Sequence, residues 1–117
     1  MPAVLLVVAV ASLTFVLLGY LGLVGKLGQN RWIGIRSPYT FSSPAAWRET
    51  HRAAAPIFLF GGIAAFAISL AFLPFAIADK VSDGVMAAVC LAGALILGLS
   101  GVASWIYGTR QARARLG

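Results

Sequence analysis

The sequence predicts an all-α integral membrane protein, with three transmembrane helices plus a short interfacial helix in the first loop. Three observations carry that prediction. Three long runs contain no Asp, Glu, Lys or Arg. Only 10% of the 117 residues are charged against 61% hydrophobic, where a soluble domain carries about 25% charged residues. The polar chemistry is gathered into one stretch, "NRWIGIRSPYTFSSPAAWRETHR" at residues 30–52. A water-soluble fold would leave much apolar surface uncovered, so residues 1–117 read as a single membrane domain.

The first span is 3–25, "AVLLVVAVASLTFVLLGYLGLVG". At ~1.5 Å per residue it reaches about 34 Å, enough to cross a hydrocarbon core of roughly 30 Å. It has no basic residue before it and no clear small-residue cleavage site before Lys26, so it is expected to remain as an anchor. The second span is 56–78 and the third 84–108, both free of charge. A charged side chain at mid-bilayer costs ~2.5–3.5 kcal/mol on insertion scales, which makes three such windows a strong pattern.

Between the first two spans lies the loop 26–55. Ser43 then Pro44 is a helix-start signal: a hydroxyl to cap free N–H groups, then proline at the first helical position. A short helix over 44–54 follows, with Trp47 and His51 on one face and Arg48 and Arg52 on another. Pro56 clashes with the carbonyl of Arg52, so a kink or restart is expected there. An unbroken helix over 44–78 would run about 52 Å, too long to lie wholly in the bilayer. The segment 44–54 is therefore read as interfacial. Upstream, Gly34 and Pro38 punctuate the chain, and Trp32, Ile33, Ile35 and Tyr39 are expected to dip into the interface.

Three spans put the loop and the basic tail 109–117 on one side of the bilayer. Eight of the nine basic residues then share a face, and Lys80 alone lies opposite, near Asp79 and Asp83. The positive-inside rule makes the shared face cytoplasmic and the N-terminus external. Trp105 and Tyr107 close the third span where an aromatic belt is expected. Small residues at helical spacing predict close helix packing: Gly19, Gly22, Gly25 and Gly28; Gly61 and Ala65; Ala94, Gly98 and Gly101. Packing within the chain is the preferred reading, with a homo-oligomer contact as the alternative.

The net charge of +6 suits anionic lipid headgroups better than nucleic acid, because the basic residues sit at the ends of apolar runs. Lys26, Arg31, Arg48, Arg110, Arg113 and Arg115 are the expected headgroup ligands. One cysteine, Cys90, and one histidine exclude an internal disulfide and a thiolate metal cluster. No glycine-rich phosphate loop is visible, and no metal or cofactor is expected. Ser37, Ser42 and Ser43 share the loop with Glu49 and His51. Those last two point to different sides of a helix, and Glu49 is better placed to pair with a neighbouring arginine. The chain is not expected to be an enzyme.

Asn30, Ile33-Gly34-Ile35-Arg36-Ser37-Pro38, and then Ser43, Trp47, Thr50, His51 and Arg52 form a pattern that resembles the signature of the SdpI family, bacterial membrane proteins named for immunity to a sporulation-delaying toxin. The resemblance is close over 30–52 and looser over the flanking spans, and corresponds to the C-terminal half of the founding member. It places Asn30, Gly34, Arg36, Pro38, Trp47, His51 and Arg52 at signature or partner-binding positions. It implies a multi-pass protein of the bacterial cytoplasmic membrane that protects against a secreted, membrane-active peptide, with signalling in the founding member. The competing reading is a small accessory subunit of a larger membrane complex. A transporter is the weakest, since no span holds an ionisable residue to mark a path.

Overall fold

The computed structural model describes residues 2–30 and 32–116; Arg31, one of the expected headgroup ligands, lies outside them. Three helices account for most of the chain: α1 (Pro2–Leu23), α2 (Pro44–Ile77) and α3 (Asp83–Leu116). Each is long and apolar enough to cross a membrane, and the described residues contain no strand. The molecule measures 52 × 20 × 20 Å, its long axis matching the length of a 34-residue helix at ~1.5 Å per residue.

The chain turns inside out relative to a soluble bundle. Phe60, Leu99 and Val7 are exposed on the outer surface. The interior is made largely of small residues: Ala54, Ala55 and Ala65, with Ser12, Ser69 and Ser104. Lipid offers helices no hydrophobic reason to associate, so close backbone contact must hold them together. Ser12 and Ser69 are compatible with that interior because their hydroxyls donate to the carbonyls one turn back, Val8 at 2.7 Å and Ala65 at 2.9 Å.

α2 is the central helix. α1 and α3 both lie along it and touch each other little. On the α1 side Gly19 meets Leu59 and the Ala55 carbonyl, Gly22 meets the His51 backbone, and Gly62 meets the backbone of Ser12 and Val16. On the α3 side Gly61 meets Ser100, and Gly108 meets Thr50 and Ala54. Residue numbers rise on one helix as they fall on its neighbour, so successive helices are antiparallel. The loop after α1 and the C-terminal end of α3 therefore share one end of the molecule, as the three-span reading requires.

The small-residue stripes are partly where the sequence puts them. Gly19, Gly22, Gly61 and Ala65 are buried in helix contacts. Gly25 and Gly28 lie beyond α1 and have nothing against them. In the third span the stripe is displaced: Ala94 and Gly98 are exposed, and the packed positions are Gly93, Leu97, Ser104 and Gly108. A third helix that contacts only one neighbour along most of its length buries a narrow face. Several small-residue registers are available in a glycine-rich helix, and spacing alone does not choose among them.

Two expectations about element boundaries are corrected. Residues 44–54 are not a separate interfacial helix but the first turns of α2, which runs through Pro56 without a break. Contacts on both sides of the proline hold those turns in line: Gly22 on His51, Gly108 on Thr50 and Ala54, and Gly19 on Ala55 and Leu59. Neighbouring helices commonly make proline tolerable in a membrane helix in this way. Likewise 109–116 is not a tail but the last two turns of α3. Both helices exceed a hydrocarbon core of roughly 30 Å, so their charged turns project beyond it.

Candidate functional site

The polar stretch folds into a compact plug at the end of the bundle, between α1 and α3. α1 closes with Gly25 at φ 74° and with Lys26 N–H donating to the Leu21 carbonyl at 2.9 Å. That is the six-to-one bond of a glycine-terminated helix. Asn30 organises the next turn. Its side-chain oxygen accepts from Trp32 and Ile33 N–H at 2.8 and 2.9 Å, and its amide donates to the Gly28 carbonyl at 2.9 Å. Asparagine suits this position because its short side chain can stand in for a backbone turn.

Ile33 and Ile35 do not dip into a lipid interface as expected. Ile35 is buried and Ile33 half-buried, both in a cluster with Leu18, Leu27, Trp47, Ala54 and Phe58. Trp32, by contrast, is 80% exposed. The turn after Ile35 is held by Thr40, fully buried. Ser37 N–H donates to its hydroxyl at 2.9 Å, and that hydroxyl donates back to the Ser37 carbonyl at 3.1 Å. Gln29 donates to the Thr40 carbonyl at 3.1 Å, tying the start of the loop to its end. Neither Thr40 nor Gln29 was singled out from the sequence. The polar pair Ser37 and Thr40, three apart around Pro38, is the signal that could have found the turn.

Ser43 caps α2 as expected, accepting from Ala46 N–H at 3.0 Å. Trp47 and His51 follow on one face, their rings 4.3 Å apart. Trp47 is buried and its indole N–H donates to the Leu27 carbonyl at 2.8 Å, while the Phe41 ring lies tilted against it at 5.5 Å. His51 Nε2 accepts from Ile35 N–H at 2.8 Å, and Nδ1 lies 2.7 Å from the Trp47 carbonyl. An acceptor on one side and a carbonyl on the other require the neutral ring with its proton on Nδ1. Both nitrogens are thereby committed to backbone.

Gly34 lies over this pair. Its φ is +105°, and a Cβ there would come 2.7 Å from His51 Nε2 and 3.2 Å from the Trp47 ring. Only glycine meets both demands, the left-handed backbone and the contact. Asn30, Gly34, Trp47 and His51 thus form one interlocked unit with Leu27 and Ile35.

A model of the SdpI/YfhL protein family matches residues 26–107, more than two thirds of the chain. The protein belongs to that family. Comparison with curated proteins and with solved structures gave no match. In this SdpI-family chain the signature residues divide into two groups. Asn30, Gly34, Trp47 and His51 build the plug. Arg36, Pro38 and Arg52 stand on its surface. Arg52 is turned away, pairing with Glu49 at 3.7 Å, and Glu49 also meets Arg115 of α3 at 3.4 Å. The pair with Arg52 follows from their spacing; the one with Arg115 depends on helix docking.

Beneath the plug, where α1 and α3 touch little, is a cavity of about 470 Å³. Phe15, Leu18 and Phe58 form its apolar floor, Gly101 and Trp105 one wall, and residues 34–38 its roof, with Arg36 among the lining residues. Lys26, Arg48, Arg110, Arg113 and Arg115 are exposed around the same end.

Proposed function

We propose that this SdpI-family membrane protein protects a bacterium against a secreted, membrane-active antimicrobial peptide, in a non-enzymatic role. The family match supports the reading, and one structural observation carries it: the signature is built as a fixed plug wedged between spans. A simple headgroup anchor needs only charge and flexibility. Here glycine at positive φ, a doubly bonded histidine and a buried tryptophan specify one shape. In the orientation proposed, with this end cytoplasmic in the bacterial inner membrane, a peptide arriving from outside meets the protein within the bilayer. The spans then link the encounter to the plug.

The test compares survival of a sensitive strain carrying the intact protein, Arg36→Ala, Arg36→Lys or empty vector, at matched membrane abundance, against a panel of membrane-active peptides. Protection by the intact chain, lost in Arg36→Ala and not restored by lysine, is the expected result; a flat planar guanidinium forms paired hydrogen bonds that an ammonium does not. Equal killing of all four strains, with stoichiometric co-purification of a large membrane complex, would replace immunity by the accessory-subunit role.

A further inference from the structure

The cavity under the plug does not end at Trp105. A second chamber of about 330 Å³ shares Ser37, Pro38 and Trp105 with it and continues along α3, where Tyr39, Thr109, Arg110 and Arg113 complete the lining. The two chambers form one groove with graded chemistry. Its inner part is mostly aromatic and aliphatic, with Arg36 in the loop that roofs it; its outer part adds Arg110 and Arg113, and among the described residues no acidic one lines either chamber. Arg113 lies 4.5 Å over the Tyr39 ring, which fixes one charge at the rim. Tyr39 and Thr109 each keep a buried hydroxyl with no hydrogen-bond partner, an uncommon condition for buried polar atoms.

We infer that this groove is a binding site for one anionic phospholipid, with an acyl chain in the chamber floored by Phe15, Leu18 and Phe58 and the phosphate at Arg110 and Arg113. Charge complementarity chooses this occupant. A zwitterionic lipid would leave the rim charges less well matched, and a cationic amphipathic peptide would be repelled by them. A second copy of this chain would bring the same positive end. Arg110 and Arg113, which hold the phosphate in this site, lie on α3 outside the signature, so their substitution tests lipid binding separately from the immunity reading, with the signature residue Arg36 of the inner chamber left unchanged.

Native mass spectrometry of the full chain in mild detergent tests this, using phosphatidylglycerol and phosphatidylcholine with identical acyl chains. One phosphatidylglycerol is expected to be retained, with at least about tenfold preference, since each basic contact near an anionic lipid contributes about a factor of five. Arg110→Gln with Arg113→Gln should abolish the preference. Lys26→Gln with Arg48→Gln, an equal loss of charge at the same end but at general headgroup contacts that line neither chamber, should leave it. Gly101→Leu should abolish retention with every charge intact, because a Cβ at Gly101 lies 3.7 Å from Phe15 and a longer side chain fills the inner chamber. Unchanged helicity by circular dichroism is required of each variant, and Phe15→Trp replaces Gly101→Leu if that chain does not fold. Equal loss in both arginine and control variants would reduce the site to a diffuse charge layer. Competition by glycerol 3-phosphate as strong as by the whole lipid would remove the acyl chain from it. Retention of phosphatidylcholine, a cationic peptide or a second protomer in its place would overturn the inference outright.

Discussion

At φ +105°, with the His51 and Trp47 rings where a Cβ would stand, Gly34 answers two constraints through one missing methyl group. An alanine there must adopt a backbone region costing about 1–3 kcal/mol for a residue with a Cβ, and must also push His51 away from Ile35 N–H. The bond at 2.8 Å is then lengthened, and a buried amide loses its partner. Gly34→Ala is expected to lower stability by about 2–4 kcal/mol, seen as a lower melting temperature in detergent and faster proteolysis of the 26–43 loop. Gly28→Ala is the control: nothing lies within 4 Å of its added Cβ and its φ is not positive, so it should stay within about 0.5 kcal/mol. A Gly34→Ala chain as stable as the parent would show that the plug is not held as described. The signature residues were legible in the sequence as a group, because they fall in the one polar stretch between charge-free runs, which also holds the single histidine. Their partners were not, since Ile35 N–H and the Leu27 carbonyl are backbone atoms that any residue supplies.

The helices show the same division between composition and contact. Charge-free runs located all three spans, because the bilayer imposes their length and polarity directly. Their ends were misjudged where tertiary contact overrides local preference. Pro56 reads as a break, yet flanking glycine contacts carry α2 across it; the arginine-rich 109–116 reads as a tail, yet α3 continues through it to Arg113 and Arg115. Helix contacts also separate glycines that composition treats alike. A Cβ on Gly62 would approach the Ser12 carbonyl to 2.8 Å and the Val16 amide to 2.9 Å, and backbone cannot rotate aside. Gly62→Ala should therefore separate α1 from α2 and lower stability by about 1–3 kcal/mol. Gly98→Ala meets nothing within 4 Å and should be neutral or stabilising by up to about 1 kcal/mol, through helix propensity alone. Thermal unfolding of the two variants side by side checks the contrast; equal effects would contradict the interface assignment.

Across the whole molecule, charge is as polarised as packing. The plug, the first turns of α2 and the last turns of α3 gather at one end, and with them seven of the eight basic residues among those described. At the other end are Asp79, Lys80 and Asp83, where α2 closes with Lys80 N–H donating to the Phe75 carbonyl at 2.9 Å and Asp79 at positive φ. The dominant rule for membrane orientation counts lysine and arginine near the span ends. Counted along the sequence, eight lie on the loop-and-C-terminal side against one, and the basic end is expected to face the cytoplasm. Single cysteines at Ser42 and Ser82 test this in a Cys90→Ala background. Both serines are exposed, so a difference in labelling reports sidedness and not burial; the native thiol at Cys90 is buried and its removal clears the background. In intact cells an impermeant maleimide should modify the cysteine at 82 and spare the one at 42. Permeabilised cells should label both, which proves that the spared thiol is reactive. The reverse pattern would put the plug outside, where a secreted peptide could reach it without entering the bilayer, and the proposed protection would have to be rebuilt around direct contact with the loop.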